Sequence, residues 1–179
     1  MRLFLVRHLE PVGARGRCYG REDLPCDPAF LETGTASVRA RIPAPVLGHA
    51  PVFTSPLSRC RELARELAAP REASIAHDLI ELDFGAWEGA SWDSVAREEL
   101  DAWARDVWRY RPGGGESADM AAKRWRRWAS GLAGLRSGVA IAVTHAGMIR
   151  VALACTGRMS ASEAAGASVA FGSVHEVMT

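Results

Sequence analysis

Residues 1–10 read MRLFLVRHLE. Leu3, Phe4, Leu5 and Val6 form an unbroken apolar run that Arg7 and His8 end abruptly. A run this short and this apolar predicts a strand buried on both faces, as in the middle of a parallel sheet. Such a strand delivers the residues after it to the carboxyl edge of the sheet, where open α/β folds bind their ligands. Here those residues are a permanent cation and, beside it, an imidazole. His8 is therefore the candidate nucleophile, and phosphate its candidate target.

Working outward, the chain after His8 is loop-like, punctuated by Pro11, Gly13, Gly16, Gly20, Pro25 and Pro28. This loop brings Arg15, Arg17 and Arg21 near the proposed site. A weak helical pattern over residues 30–41 ends at Pro43 and Pro45, and residues 51–54 read as a second strand. Ser55-Pro56 then predicts a helix start with Ser55 as its cap. Leu57, Cys60, Leu63, Ala64 and Leu67 recur at helical spacing, which puts Arg59 in the first turn, at a strand-to-helix junction. Residues 79–84 are predicted extended, as is Ile75, and residues 92–108 helical with Ser91 as cap.

The glycine triplet at 113–115 breaks the chain before Ser117 opens a long helix. Trp125, Trp128, Leu132 and Leu135 share one face of it, and the basic run Lys123, Arg124, Arg126 and Arg127 is predicted to be a solvated face. Residues 139–144, VAIAVT, are the clearest strand, and His145 stands at their end before a helix closed by Gly157. An edge strand is expected within 168–178. Strands alternating with helices predict a three-layer α/β/α sandwich with a mostly parallel central sheet. No repeat or linker divides the chain, so one domain over 1–179 is expected.

The composition narrows the function. The chain has 179 residues, 48% hydrophobic and 24% charged, as in an ordinary globular protein. A net charge of +1 argues neither for a nucleic-acid binder nor for a membrane-surface protein. Cys18, Cys26, Cys60 and Cys155 lie far apart without a C-x-x-C pair, so free thiols in a reducing cytoplasm are expected. The first apolar run is too short for a signal peptide, and no stretch approaches the roughly 20 apolar residues of a membrane span. A cytoplasmic location is therefore expected.

Arg7, His8, Arg59 and His145 thus fall at three strand ends on one rim. Guanidinium binds phosphate oxygens bidentately and keeps its charge at any working pH. Neutral imidazole can attack phosphorus and split one difficult step into two. A lone histidine after a strand is more often structural, and His49, His77 and His175 are read that way. Arg7-His8 and His145 on two separate strand ends are harder to dismiss as coincidence.

The residues also resemble a family, the histidine phosphatase superfamily, which includes the cofactor-dependent phosphoglycerate mutases. Its Arg-His-Gly block compares with Arg7-His8-Leu9, and Ser-Pro-Leu-x-Arg with Ser55 to Arg59. Glu-x-x-x-Gly-x-x-Glu-Gly compares with Glu81 to Gly89, Gly-Gly-Glu-Ser with Gly114 to Ser117, and His-x-Gly with His145 to Gly147. The resemblance implies that His8 carries the phosphoryl group while Arg7, Arg59 and His145 hold its oxygens. Glu81 would protonate the leaving oxygen and then activate water, making His8, Glu81 and His145 the catalytic set. No metal and no cofactor are implied.

Residues 16–25, GRCYGREDLP, look like the α-ribazole-phosphate phosphatases of cobalamin synthesis, which assigns Tyr19 and Arg21 to substrate binding. The expected activity is a metal-independent phosphomonoesterase acting on a small molecule. A lid-like segment over about 88–116, rich in tryptophan, is expected to favour a ring-bearing leaving group. Expected partners are the phosphomonoester and, in a homodimer, a second copy of the chain, with no nucleic acid and no membrane.

Two positions depart from the family's pattern. Leu9 replaces a glycine, and Ala14 stands where many members place a phosphate-contacting asparagine. Leucine serves at position 9 if only its carbonyl is needed, to hold the His8 ring, and its side chain is expected to shape the pocket. The competing readings are a mutase-like phosphotransferase and a binding module that kept the phosphate pocket but lost turnover. Glu81 argues against the latter, because a pure binder needs no proton donor. A metal hydrolase is weaker still, since no H-E-x-x-H or Asp-rich cluster is present.

Overall fold

A computed structural model describes residues 1–179. One five-stranded sheet runs through it in the order β3-β2-β4-β1-β5. The strands are β1 (Arg2–Arg7), β2 (Val52–Thr54), β3 (Ser74–Ile75), β4 (Val139–Thr144) and β5 (Val174–Met178). The first four are mutually parallel and β5 is an antiparallel edge. The sandwich predicted from the alternation is therefore the one observed.

Side chains alternate across a strand, and the two faces of β1 and β4 feed two separate cores. Leu3 and Leu5 of β1, with Ala140 and Ala142 of β4, join α5 (Ala118–Gly131), α6 (Ala146–Cys155) and α7 (Ala161–Gly166). Phe4 and Val6, with Val139, Ile141 and Val143, join α1 (Pro28–Ala40), α2 (Ala44–His49) and α3 (Ser58–Ala68) on the other side. The leucines of β1 are wholly buried. Each contributes roughly 1.5–3 kcal/mol of hydrophobic stabilisation, which is why the run tolerates no polar residue before Arg7.

This layering places the site. The connection leaving β1 runs through α1 and α2 on one face to reach β2, whereas that leaving β4 runs through α6 and α7 on the other to reach β5. The chain thus diverges between β1 and β4, the crevice where open α/β sheets hold ligands.

Several local expectations change. α3 begins at Ser58, not at Ser55-Pro56, and Ser55 does not cap it. Its first amide is taken instead by Asp23, whose carboxylate accepts from Ser58 N at 2.6 Å and from Ser58 Oγ at 2.9 Å. The predicted extended segment 79–84 lies outside the sheet, following a 3-10 turn at His77–Leu79. The predicted helix over 92–108 is two pieces: a turn at Trp92–Ser94, with Ser91 accepting from Asp93 N, then α4 (Arg97–Arg105). Val95 and Ala96 are extended between them. Ser117 does cap α5, accepting from Met120 N at 3.3 Å.

The basic run on α5 is not uniformly solvated. Lys123, Arg126 and Arg127 are exposed, but Arg124 is buried and donates two hydrogen bonds to Glu116, both 2.9 Å. The aromatic segment has its own small core: Cys18, Trp87 and Val95, with Phe84, Trp92, Trp103 and Tyr110 around them. Trp92 and Trp103 stack at 6.2 Å with planes 7° apart. The four cysteines are unpaired. No helix is long and apolar enough to cross a membrane.

Candidate active site

The β1–β4 register sets Arg7 beside Thr144, and this forces His8 and His145 to emerge side by side. Their ring centroids are 5.1 Å apart and both residues are buried. His8 N donates to Thr144 O at 3.0 Å, which extends the ladder into the site. The Nδ1 of His8 lies 2.7 Å from Leu9 O. A carbonyl can only accept, so Nδ1 carries the proton and Nε2 keeps its lone pair. Arg59 Nε donates to that Nε2 at 3.3 Å.

Leu9 thus supplies the carbonyl that the sequence asked of it, without positive φ. Its side chain does not shape the pocket. It lies in the core beneath α1, where it would meet a Cβ added at Gly34.

Arg59 is wholly buried. Its two terminal nitrogens donate to Glu22 O and Gly20 O, both at 2.7 Å. The loop after β1 is therefore what holds this guanidinium against His8. Arg7 lies 3.8 Å over the centre of the Phe171 ring. It donates to Val169 O and, at 3.4 Å, to the Tyr19 hydroxyl, while its Nε is buried without a partner. An unpaired buried donor is costly, so an oxygen from a bound anion would be stabilising there.

His8 sits well below the usual imidazole pKa. Burial is the largest cause, with Arg59 and then Arg7 adding to it, so the neighbouring cations come second to desolvation. His145 is lowered in the same direction, again mainly by burial and then by His8. Both rings are thereby held neutral. The Ser55 hydroxyl lies 2.7 Å from His145 Nε2, and Cys60 Sγ lies 3.4 Å from the same nitrogen. Ser55 thus orients the second histidine instead of capping a helix. The Cys60 thiol is pushed far up by burial and is inert.

Glu81 is buried, and its carboxylate accepts from Leu82 N at 3.1 Å and from Gly147 N at 3.2 Å. This explains the glycine in His145-Ala146-Gly147: a Cβ there would stand 2.5 Å from Glu81 Oε1. Tyr19 packs edge-on near His8, with centroids 6.4 Å apart, and under the Arg59 guanidinium. Arg21 is more committed than a free substrate cation. It donates to Glu81 O at 3.0 Å and to Glu116 at 3.1 Å, and Asp83 lies 3.6 Å away. Arg21 therefore ties the Glu81 backbone to the buried Glu116–Arg124 pair.

A cavity of about 370 Å³ opens beside Glu81. Phe84, Trp103, Val107, Trp108, Pro112 and Val151 furnish much of its wall, so part of the segment over 88–116 does border the site. Four residues at the site were not singled out in the sequence. Phe171 lay in what read as an edge strand and Ser55 read as a cap, while Cys60 read as core. Arg150 had a signal: it is the one charge in the apolar helix α6.

Comparison with known proteins agrees with this geometry. The sequence profile of the histidine phosphatase superfamily (branch 1) matches residues 3–178. The bifunctional protein Rv2228c of Mycobacterium tuberculosis is 32% identical over 162 residues, 85% of this chain and 43% of that protein. The chain thus spans less than half the length of the curated relatives it matches. A phosphoglycerate mutase from Thermus thermophilus superposes with a TM-score of 0.74 at 30% identity, covering 99% of this chain and 92% of that one. A mycobacterial glucosyl-3-phosphoglycerate phosphatase superposes at 0.82 over 98% and 91% of the two chains. At 22% identity that likeness speaks for the fold alone. With two buried neutral histidines, two guanidiniums and a carboxylate on one rim, and a profile match over nearly its whole length, the chain belongs to the histidine phosphatase superfamily.

Proposed function

We propose that the protein is a phosphomonoesterase that passes the phosphoryl group of a small molecule to His8 and then to water. One observation carries the reading. Leu9 O fixes the His8 proton on Nδ1 and burial disfavours the imidazolium, so Nε2 is a neutral nucleophile at the rim. Glu81 enters the cycle as the carboxylic acid: Nε2 attacks phosphorus, the bond from phosphorus to the bridging oxygen breaks, and Glu81 gives that oxygen its proton. Glu81, now a carboxylate, takes a proton from water as the water oxygen attacks phosphorus. The N–P bond breaks, freeing inorganic phosphate and returning the lone pair to Nε2. Arg7, Arg59 and His145 stabilise the charge spread over the equatorial oxygens. The unpaired Nε of Arg7 supports that role.

The alcohol product occupies the cavity that starts at Glu81. Its aromatic walls favour a ring-bearing leaving group over a bare triose, and α-ribazole 5′-phosphate is the member of that class suggested by residues 16–25. The name of the Thermus relative keeps mutase activity as the second reading. The test is labelled substrate from a panel that includes α-ribazole 5′-phosphate and 3-phosphoglycerate, assayed in chelator and quenched without acid. The expected result is an acid-labile, base-stable phosphoprotein, with higher kcat/KM for the ring-bearing ester and no mutase product. Equal labelling of His8→Ala removes the nucleophile assignment, and faster turnover of 3-phosphoglycerate removes the substrate class.

A further inference from the structure

Three charged residues line the cavity beside the active site: Glu81, Glu116 and Arg150. Two of them have full-time partners. Glu116 is neutralised by Arg124 at 2.9 Å and Arg21 at 3.1 Å, and Glu81 is held by two backbone amides. Arg150 differs. Its Nε donates to Ala167 O at 3.0 Å, but its two terminal nitrogens make no hydrogen bond and no carboxylate lies within 4.0 Å. Half-buried against apolar walls, this guanidinium has its pKa lowered first by burial and also by the Arg7 charge, with Glu81 offsetting part of that from beyond ion-pair distance.

The helix explains the placement. Arg150 follows Ala146 by four residues and Gly147 by three, so all three share the face of α6 that borders the cavity. A structural role accounts for the Nε bond, which ties α6 to the residue after α7. It leaves the terminal nitrogens, the fork that recognises carboxylate or phosphate, unexplained.

We propose that Arg150 is the specificity-determining cation of the leaving-group pocket. The preferred substrate then has an alcohol with a flat apolar body that bears a carboxylate or another anionic oxygen group away from the ester. α-Ribazole lacks such a group, so the ring-bearing class is kept and the preference moves away from that member. This rests on the phosphomonoesterase reading: Glu81 acts on the bridging oxygen, so the cavity that begins at Glu81 receives the alcohol. The ring lies against Phe84, Trp103 and Trp108, and the anion meets the fork of Arg150. A neutral alcohol uses the same walls but leaves the guanidinium unpaired.

The experiment compares 2-naphthyl phosphate with 6-carboxy-2-naphthyl phosphate as substrates. It also compares 2-naphthol with 6-hydroxy-2-naphthoate as ligands by calorimetry, which needs no turnover. The wild-type protein is expected to favour the carboxylated member by about 10- to 100-fold in kcat/KM and in Kd, the range of a charge-assisted pair. Arg150→Met should bring both ratios to within about threefold of unity, and Arg150→Lys should keep part of the preference. A wild-type ratio near unity overturns the proposal, as does a ratio that Arg150→Met leaves unchanged. If Arg150→Met does not fold, the wild-type ratio and Arg150→Lys decide. Arg150-dependent naphthoate binding without any ester hydrolysis would uphold the anion site and reject the phosphatase reading. Hydrolysis without a preference would do the reverse.

Discussion

Glu116 is the residue whose replacement tests most of the site's support at once. It accepts two hydrogen bonds from Arg124 and one from Arg21, and Arg21 in turn holds Glu81 O. The side chains of Arg124 and Glu116 are only 9% and 10% exposed, so the small value of surface ion pairs does not apply. Arg21 is 34% exposed and is discounted for solvent screening. Glu116→Leu leaves the Arg124 charge buried without a counter-ion, at a cost of about 3–5 kcal/mol. For a chain of this length that lowers Tm by roughly 6–20 °C.

The double variant Glu116→Leu/Arg124→Met removes both charges, and stability should return to within about 1 kcal/mol of wild type, because an apolar pair avoids the desolvation penalty. Activity should not return with it. Arg21 has still lost an anchor, and a loosened Glu81 is expected to lower kcat/KM by roughly 10-fold or more. Thermal unfolding and steady-state kinetics below the transition read the two effects separately. A single variant that loses under about 1 kcal/mol would refute the buried-pair argument. Full activity in the double variant would refute the link through Arg21 to Glu81.

Two further outcomes concern the acid and the histidines. Glu81→Gln should slow hydrolysis of alkyl phosphates by about 10²–10⁴-fold while aryl phosphates with good leaving groups lose far less, since their oxygens depart without a proton; equal losses would shift the role elsewhere. His8 and His145 have folded pKa values depressed below the unfolded value of about 6.5, so the unfolded chain binds more protons as pH falls. The stability they contribute is complete above about pH 6.5 and is lost as pH falls towards the folded values, with a slope of up to about 2.7 kcal/mol per pH unit for the two together. Thermal unfolding between pH 7.5 and 5.5 measures that slope, and a flat profile would contradict the buried neutral histidines.

What could be read from the sequence was whatever depends on short-range pattern. The strands β1 and β4 are buried on both faces, so they stand out as apolar runs, and the polar residues that end them fall on one rim because the strands are parallel. Long-range partners left no such trace. Ser55-Pro56 has the composition of a helix start, yet the carboxylate that caps α3 comes from Asp23, 35 residues away. Arg124 sits in a basic run, but at three residues from Ala121 it falls on the buried arc of α5, where Glu116 and Asp78 O receive it. Helical spacing was a better guide there than charge. Arg21 was read as a substrate cation from its motif, and its partners could only be known once Glu81 and Glu116 stood beside it.

The two departures from the family's pattern turn out to be unequal. At position 9 the chemistry needs a carbonyl, which any residue supplies, and Leu9 provides it at 2.7 Å from His8 Nδ1. The larger side chain needs space, and two glycines make it: a Cβ at Gly34 would come within 2.7 Å of Leu9 Cδ2, and one at Gly172 within 3.1 Å. Gly172 also donates its N–H to His8 O, so the residue that makes room for Leu9 helps to hold His8. Position 14 has no such compensation, because the buried methyl of Ala14 has no donor to offer a phosphate oxygen. In the proposed mechanism the cradle then rests on Arg7, Arg59 and His145, two permanent charges and an imidazole held neutral. On the proposed phosphatase reading, recognition of the phosphoryl group would therefore be more purely ionic here than in members that keep the asparagine, and the weight of specificity would move to the cavity on the Glu81 side.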